Sequence, residues 1–447
     1  MRLTLVALSF LPLSFFSPDK PDTYPPIEDH FEMHWSTQIG AASFRSNVIV
    51  TNNSLILGSN GLDFMDYYIS DKKSGVYTIN RKTGAIINHF ANEPLGDMDV
   101  NGLLLYNNRL YFGNDNEEFL CTSLDGKIIW RNPASGDMEH EPVLINNRGV
   151  QQVVYATETG EVKAVDPATG KAFWSYYVPD FDGWKQGENR ALFKVKSYFT
   201  NTYAFFTKPL VMDLTGDGVL DLVYHTYDGR IFAVNGASGK KLWIHDGGNG
   251  TEIAILQTGT KANPTISFFA KTFDEKYNAT SHLVTINNEG KQVVKIDLPG
   301  STFGMGLNAL SLNNIFIVQR DSLLEIDSKG NYTAYDRSNL YQDVDYFGKN
   351  VIEQRNGYES LISNRAFSYN GDSNCIVILN QHDYANYENG FVEIYSLASH
   401  KVMARFGLPK PSEFPPMIAD INKDGYLDLL INCYDGYLYC YDLKVKP

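Results

Sequence analysis

Four cysteines in 447 residues are too few for a disulfide framework. Cys121, Cys375, Cys433 and Cys440 therefore read as buried free thiols, with a diagonal Cys433–Cys440 cross-hairpin bond as the alternative. No Lys/Arg cluster occurs, and 38 basic against 52 acidic residues leave a net charge of −14, which argues against nucleic acid and anionic membrane surfaces as partners. The apolar run from Leu3 to Phe16, after Met1-Arg2, is too short to cross a bilayer and is broken by Thr4, Ser9, Pro12 and Ser14; it reads as a secretory signal over 1–17. The nine histidines are scattered without metal-ligand spacing, and there is no nucleophile elbow. Residues 18–31, proline-rich and acidic, read as an extended linker to the fold.

What the chain does have is β-forming and aromatic residues, 28 Tyr and 26 Phe among them, and an internal repeat. Asp213 to Trp243 holds its clearest copy. Asp213, Thr215, Asp217 and Asp221 take positions 1, 3, 5 and 9 of a calcium-type loop, with Gly218 at the sharp turn and the carbonyl of Val219 at position 7. An EF-hand would need a bidentate Glu at position 12 and flanking helices. Here position 12 is Tyr224 within a β-type run, so the loop joins two strands. An Asp228-Gly229 hairpin, a third strand to Val234, a turn at Gly236–Gly239 and a fourth strand through Trp243 complete a four-stranded antiparallel meander.

The same pattern returns without gaps as Asp420, Asn422, Asp424, Tyr426 (by its carbonyl) and Asp428, Asp213 falling on Asp420 and Gly229 on Gly436. A third copy, Gly149 to Trp174, aligns equally well but carries Leu144, Arg148 and Gln152 where the three aspartates stand. A copy that keeps its form without the acids makes the expected calcium structural, not catalytic. The slot held by Ala164 and Ala233 is Cys440 in one copy and Cys121 in another, so it demands a small residue.

Repeats of roughly 40–50 residues predict blades from Ala42–His89, Gly102–Asn132, Glu141–Tyr177, Lys208–Asp246, Glu252–Leu298, Gly304–Arg337, Glu359–Gly407 and Phe414 to Tyr441. The last is one strand short, and the orphan strand at Trp35 looks like a fourth strand without a blade. Together they predict ring closure. The fold expected is all-β, a single eight-bladed β-propeller over 32–447, with seven blades as the alternative.

Ala-Val-Asp-Pro-Ala-Thr-Gly-Lys-Ala-Phe-Trp at 164–174 and Ala-Val-Asn-Gly-Ala-Ser-Gly-Lys-Lys-Leu-Trp at 233–243 resemble the repeat of PQQ-type propellers, shared by quinoprotein dehydrogenases and the outer-membrane assembly lipoprotein BamB. The loops at 213–221 and 420–428 resemble the calcium loops of FG-GAP propellers. The resemblance is specific for fold. It raises PQQ-dependent oxidation, but the vicinal disulfide frequent in those enzymes has no counterpart here and the calcium loops fall on the other face, so PQQ is not expected.

Loops between first and second strands share the bottom face of a propeller, whereas second-to-third connections share the top with inter-blade connections. The long second-to-third connections of blades 1, 5 and 7, and the inter-blade stretch 178–207, thus gather on the face opposite the calcium loops. Tyr67, Trp184, His382 and Tyr384 on them are candidate contacts for a protein or carbohydrate ligand. The expected protein is an exported monomer of the periplasm, envelope or extracellular space. It would be a non-catalytic binding or scaffold module with structural calcium and no membrane segment once the signal is removed. The alternative is a carbohydrate-active, polysaccharide lyase-like enzyme, or a PQQ-dependent one; His140, Glu141 and Lys208, near first-strand starts, are the acid/base candidates. Asp97, Asp99 and Asn101 outline a weaker third metal loop. Sequons stand at Asn52, Asn249, Asn278 and Asn331.

Overall fold

The computed structural model describes residues 24–62, 73–91, 99–178, 208–226, 230–247, 255–259, 263–273, 279–298, 307–308, 315–318, 322–327, 331–336, 360–381 and 390–445. These form eight antiparallel sheets and one 3-10 turn, Ile27–Asp29. Seven sheets follow the chain in order, at 49–90, 103–133, 143–177, 210–246, 255–298, 307–336 and 360–407, and are blades 1 to 7. Blade 7 carries an extra short strand, Phe367–Tyr369, beside Asp372–Gln381.

Blade 8 closes the ring. Met417–Ala419, Leu427–Asn432 and Tyr437–Val445 are its first three strands, and Glu32–Gln38 from the other end of the chain is its fourth, Trp35 standing opposite Cys440. The two ends of the chain are thereby paired within one sheet, which covers the strand edge that each would otherwise expose.

Burial follows from each blade being pressed between two others. Middle strands such as Asp221–His225 and Gly390–Ser396 are buried throughout, because both of their faces meet a neighbouring sheet. Outer strands such as Ile128–Pro133 alternate between partly buried and exposed positions, because one edge meets water.

The fourth-strand tryptophans lock adjacent blades. Trp35, Trp130, Trp174 and Trp243 lie opposite Cys440, Cys121, Ala164 and Ala233, small residues that leave room for an indole. Each indole N–H donates to a carbonyl of the third-to-fourth turn in the next blade: Trp130 to Pro167 at 3.2 Å, Trp174 to Gly236 at 3.1 Å, Trp243 to Asn288 at 2.9 Å. The ring stacks on that turn's glycine. Gly239, at φ +68°, would place a Cβ 2.5 Å from the Trp174 ring, so no other residue fits. All four cysteines are buried free thiols, and Cys433 and Cys440 are not bonded to each other.

The second half of the expected linker is not extended. From Tyr24 the chain runs along blades 7 and 8: Pro25 O accepts from Gly407 N at 3.0 Å, Ile27 and Phe31 enter the core between these blades, and the His30 ring stacks on Phe406 at 4.6 Å. Tyr441 Oη donates to Glu28 Oε1 at 3.0 Å. Two apolar side chains in a polar stretch are enough to fasten it, each worth about 1.5–3 kcal/mol when fully buried. Residues 1–23 lie outside the described residues.

Candidate functional site

Both acidic loops connect a first strand to a second strand, as their sequence requires, and sit on the face that carries the third-to-fourth turns. The 213–221 loop is held by its neighbours on either side. Asn147 of blade 3 brackets Leu220, accepting from its N–H at 2.8 Å and donating to its carbonyl at 3.3 Å, and Asn288 of blade 5 donates to Leu214 O at 3.0 Å.

Inside that loop Asp213 accepts from Gly216 N at 2.7 Å and Gly218 N at 2.9 Å, while Asp217 accepts from Val219 N at 2.8 Å. The aspartate at position 9, Asp221, is fully buried; it accepts from Leu214 N and from the Asn235 amide, both at 3.1 Å. Burial pushes its pKa up to about 6, opposed by backbone N–H donors and reinforced by the charges of Asp217 and Asp213. Burial also raises Asp213, but backbone donors from Gly218 and Gly216 outweigh it and the net shift is downward.

The 420–428 loop repeats this frame, with a difference at its floor. Asp428, fully buried, accepts through Oδ2 from Ile421 N at 2.6 Å and Asn422 N at 3.1 Å. Among the described residues its Oδ1 has no hydrogen-bond donor, and it lies 3.1 Å from His34 Nε2; Asp420 Oδ1 is likewise buried without a donor among them. Burial raises the Asp428 pKa to about 6; backbone donors and His34 oppose the shift and Asp424 adds to it. Carboxylate oxygens turned inward without donors are what a loop for a hard divalent cation presents, so the donor set fits calcium. The Asp221 position in the acid-free blade 3 is Gln152, whose Oε1 accepts from Trp174 Nε1 at 3.1 Å. There the place of the buried aspartate has become part of the tryptophan lock.

Several groups were not legible in the sequence as parts of this site. Arg81, in the third-to-fourth turn of blade 1 that Trp35 meets, reaches across the ring closure and donates to the carbonyls of Asp420 and Ile421 and, at 2.8 Å, to Thr51 O. His34 and Asp442 stand beside Asp428, the three ligand atoms within 4.8 Å of one another. An isolated His in a strand gives no spacing signal, and only the register of closure brings it to the loop.

The opposite face is built from the connections that precede first strands. Glu139 Oε2 accepts from Arg45 Nη1 at 2.5 Å and from the Asn101 amide at 2.9 Å, and Asn101 Oδ1 accepts from Ser43 Oγ at 3.1 Å. Asn101 thus serves a polar network linking the connections that precede blades 1, 2 and 3; Asp97 lies outside the described residues. Lys208 pairs with Glu141 at 2.5 Å. His140 is buried and its pKa is lowered to about 4 by that burial, with a backbone bond to Glu141 O opposing it. A neutral buried imidazole beside an ion pair is a poor acid/base couple at pH 7. Tyr67, Trp184, His382 and Tyr384 lie outside the described residues, but the strand ends that flank them, Ser59 and Gly75, Tyr177 and Leu210, Gln381 and Gly390, are where a second-to-third or inter-blade connection begins and ends.

Sheets, closure and tryptophan locks define the molecule as a closed β-propeller of the PQQ-like class. The family described as outer membrane protein assembly factor BamB matches residues 72–339, and the chain belongs to it. Among solved structures the fold is similar to BamB from Moraxella catarrhalis (TM-score 0.52, 13% identity, covering 92% of this chain and 98% of that one). It is also similar to the Dos1 propeller (TM-score 0.55, 11% identity, 92% and 96%) and to Sqt1 of Saccharomyces cerevisiae (TM-score 0.55, 11% identity, 95% and 99%). No curated protein matches the sequence. Among the described residues no helix is long and apolar enough to cross a membrane.

Proposed function

We propose that this chain is an exported, non-catalytic scaffold that binds a protein partner through the face opposite its acidic loops. Calcium in the 213–221 and 420–428 loops would stiffen the other face. The observation that carries the reading is the division of labour between the faces. The bottom face is made of short turns and two loops tied by hydrogen bonds to neighbouring blades, whereas the connections with sequence to spare leave from the other end of the strands. Loops on a rigid scaffold are where recognition is placed, and membership of a family described as an assembly factor favours a protein over a sugar as ligand. A periplasmic or envelope location fits the apolar N-terminal run.

The test is site-specific photo-crosslinking in the producing cell. Reactive groups at Tyr67, Trp184 and Tyr384 should yield defined protein adducts, and groups at Asp217 and Lys240 should not. Adducts from the latter pair alone would place recognition on the acidic-loop face and overturn the reading.

A further inference from the structure

The internal repeat gives the two acidic loops different surroundings. In the common register Asp221 corresponds to Asp428, Asn235 to Asp442, and Leu242, just before Trp243, to His34, just before Trp35. In blade 4 the buried carboxylate therefore meets an amide that donates to it at 3.1 Å. In blade 8 it meets a second carboxylate and an imidazole, and its Oδ1 receives no hydrogen bond among the described residues. The imidazole Nε2 also lies 2.8 Å from the Asn422 amide of the same loop, so two acids, a loop amide and an imidazole nitrogen gather around a fully buried oxygen, a set that calls for a cation.

His34 is aimed there by a bulge. Met33 pairs with Tyr441 and Trp35 with Cys440, leaving His34 as the extra residue. A β-bulge re-aims one side chain in just this way. The fourth strands of blades 1 to 5 and 7 bulge at the corresponding place, with Ile87, Ile129, Phe173, Leu242, Val293 and Met403 as the extra residue. All of these are apolar, so blade 8 alone among them offers a ligand. Nε2 of His34 lies 3.1 Å from Asp428 Oδ1, close to the edge of roughly 3 Å between two donors bound to one ion at about 2.0–2.2 Å.

We propose that His34, Asp428 and Asp442, with the 420–428 loop, form a mixed nitrogen–oxygen site for a divalent first-row transition ion, zinc being the probe. At this loop such an ion is preferred over calcium, and it pins the N-terminal strand to the last blade. Imidazole suits zinc and its neighbours, whereas an all-oxygen loop such as 213–221 suits calcium. The inference deepens the metal reading of the 420–428 loop and rests on it, replacing the ion expected there.

The experiment equilibrates chelator-stripped protein with calcium and zinc together and counts each bound ion for the wild type and for the His34→Leu, Asp442→Asn and Asp217→Ala variants. His34→Leu and Asp442→Asn install residues that blade 4 already carries at these places, so at least one should fold; near-ultraviolet dichroism checks this. One zinc per chain is expected in the wild type, with affinity weakened more than about tenfold in either blade 8 variant and unchanged in Asp217→Ala. No zinc in the wild type, or zinc retained in both blade 8 variants, overturns the inference. Loss of calcium from Asp217→Ala with zinc intact supports both readings. Zinc bound as expected with no calcium anywhere overturns only the calcium reading.

Discussion

The indole of Trp35 donates to the carbonyl of Arg81 at 3.2 Å, across 46 residues of sequence, and the bond is the one that Trp130, Trp174 and Trp243 make to the blade after theirs. The junction where the chain's ends meet is therefore built like an ordinary blade boundary. Trp35→Ala should cost about 3–5 kcal/mol, as for other large-to-small core changes, and so should Trp174→Ala; the two measured by urea unfolding should agree within a factor of about two. A near-neutral Trp35→Ala would mean that the closing strand is dispensable.

Truncation separates the strap from the closing strand. Deleting residues 1–23 should leave the melting temperature unchanged, deleting 1–31 should lower it through loss of Ile27 and Phe31 from the core, and deleting 1–39 should give aggregation as the edge opens. Equal melting temperatures for the first two truncations would show that the strap contributes nothing.

Arg81 holds the closure from the side of blade 1. Arg81→Met keeps the aliphatic stem but removes the donors to Asp420 O, Ile421 O and Thr51 O, leaving buried carbonyls unsatisfied. Bonds to a charged donor are worth about 1.5–3 kcal/mol each, so destabilisation of at least one such bond is expected by urea unfolding, together with weaker metal binding at 420–428 and none of that weakening at 213–221.

Acid should destabilise the protein partly through His225. It is buried, its ring nitrogens have no hydrogen-bond partner among the described residues, and burial lowers its pKa to about 3. A histidine that is harder to protonate folded than unfolded stabilises the fold above the unfolded pKa near 6.5 and loses that contribution as pH falls. At pH 5 the loss is on the order of 2 kcal/mol. His225→Asn, the residue that blade 8 carries at this place as Asn432, should flatten the fall in stability between pH 7 and 5. The raised carboxyls act with the opposite sign in metal-free protein: Asp221 and Asp428 cost most when ionised, so chelated protein recovers part of the loss as pH drops through about 6. An identical pH profile for His225→Asn and wild type would contradict the assignment.

Metal removal should lower the melting temperature by a few degrees without unfolding the protein at room temperature, since an ion bound only by the native state stabilises it by mass action. Asp217→Ala and Asp424→Ala should each remove one bound ion. An unchanged melting curve after exhaustive chelation would contradict a structural role for the ions.

The eight sheets were legible because turn chemistry punctuates the chain: Asp-Gly and Thr-Gly pairs, the small residue opposite each tryptophan, and the orphan strand at Trp35 leave little freedom in register. The strap was not legible, since prolines and acids over 18–31 read as linker and the burial of Ile27 depends on a groove between blades 7 and 8. His34 and Asp442 escaped for a related reason. A bulge moves a side chain by one register position, and that shift is invisible until the strand's partner is known.

The central claim is that the two faces do different work, and the most direct measurement is the affinity of the crosslinked partner for purified protein, by titration calorimetry, for three forms. Tyr67→Ala/Trp184→Ala/Tyr384→Ala should melt within a degree or two of wild type, as surface changes of about ±0.5 kcal/mol do, and should bind at least about tenfold more weakly. Asp217→Ala/Asp424→Ala should melt lower and bind as wild type does below its melting temperature. Binding that survives the triple substitution and is lost with the two aspartates would contradict the account and make the acidic loops the recognition surface.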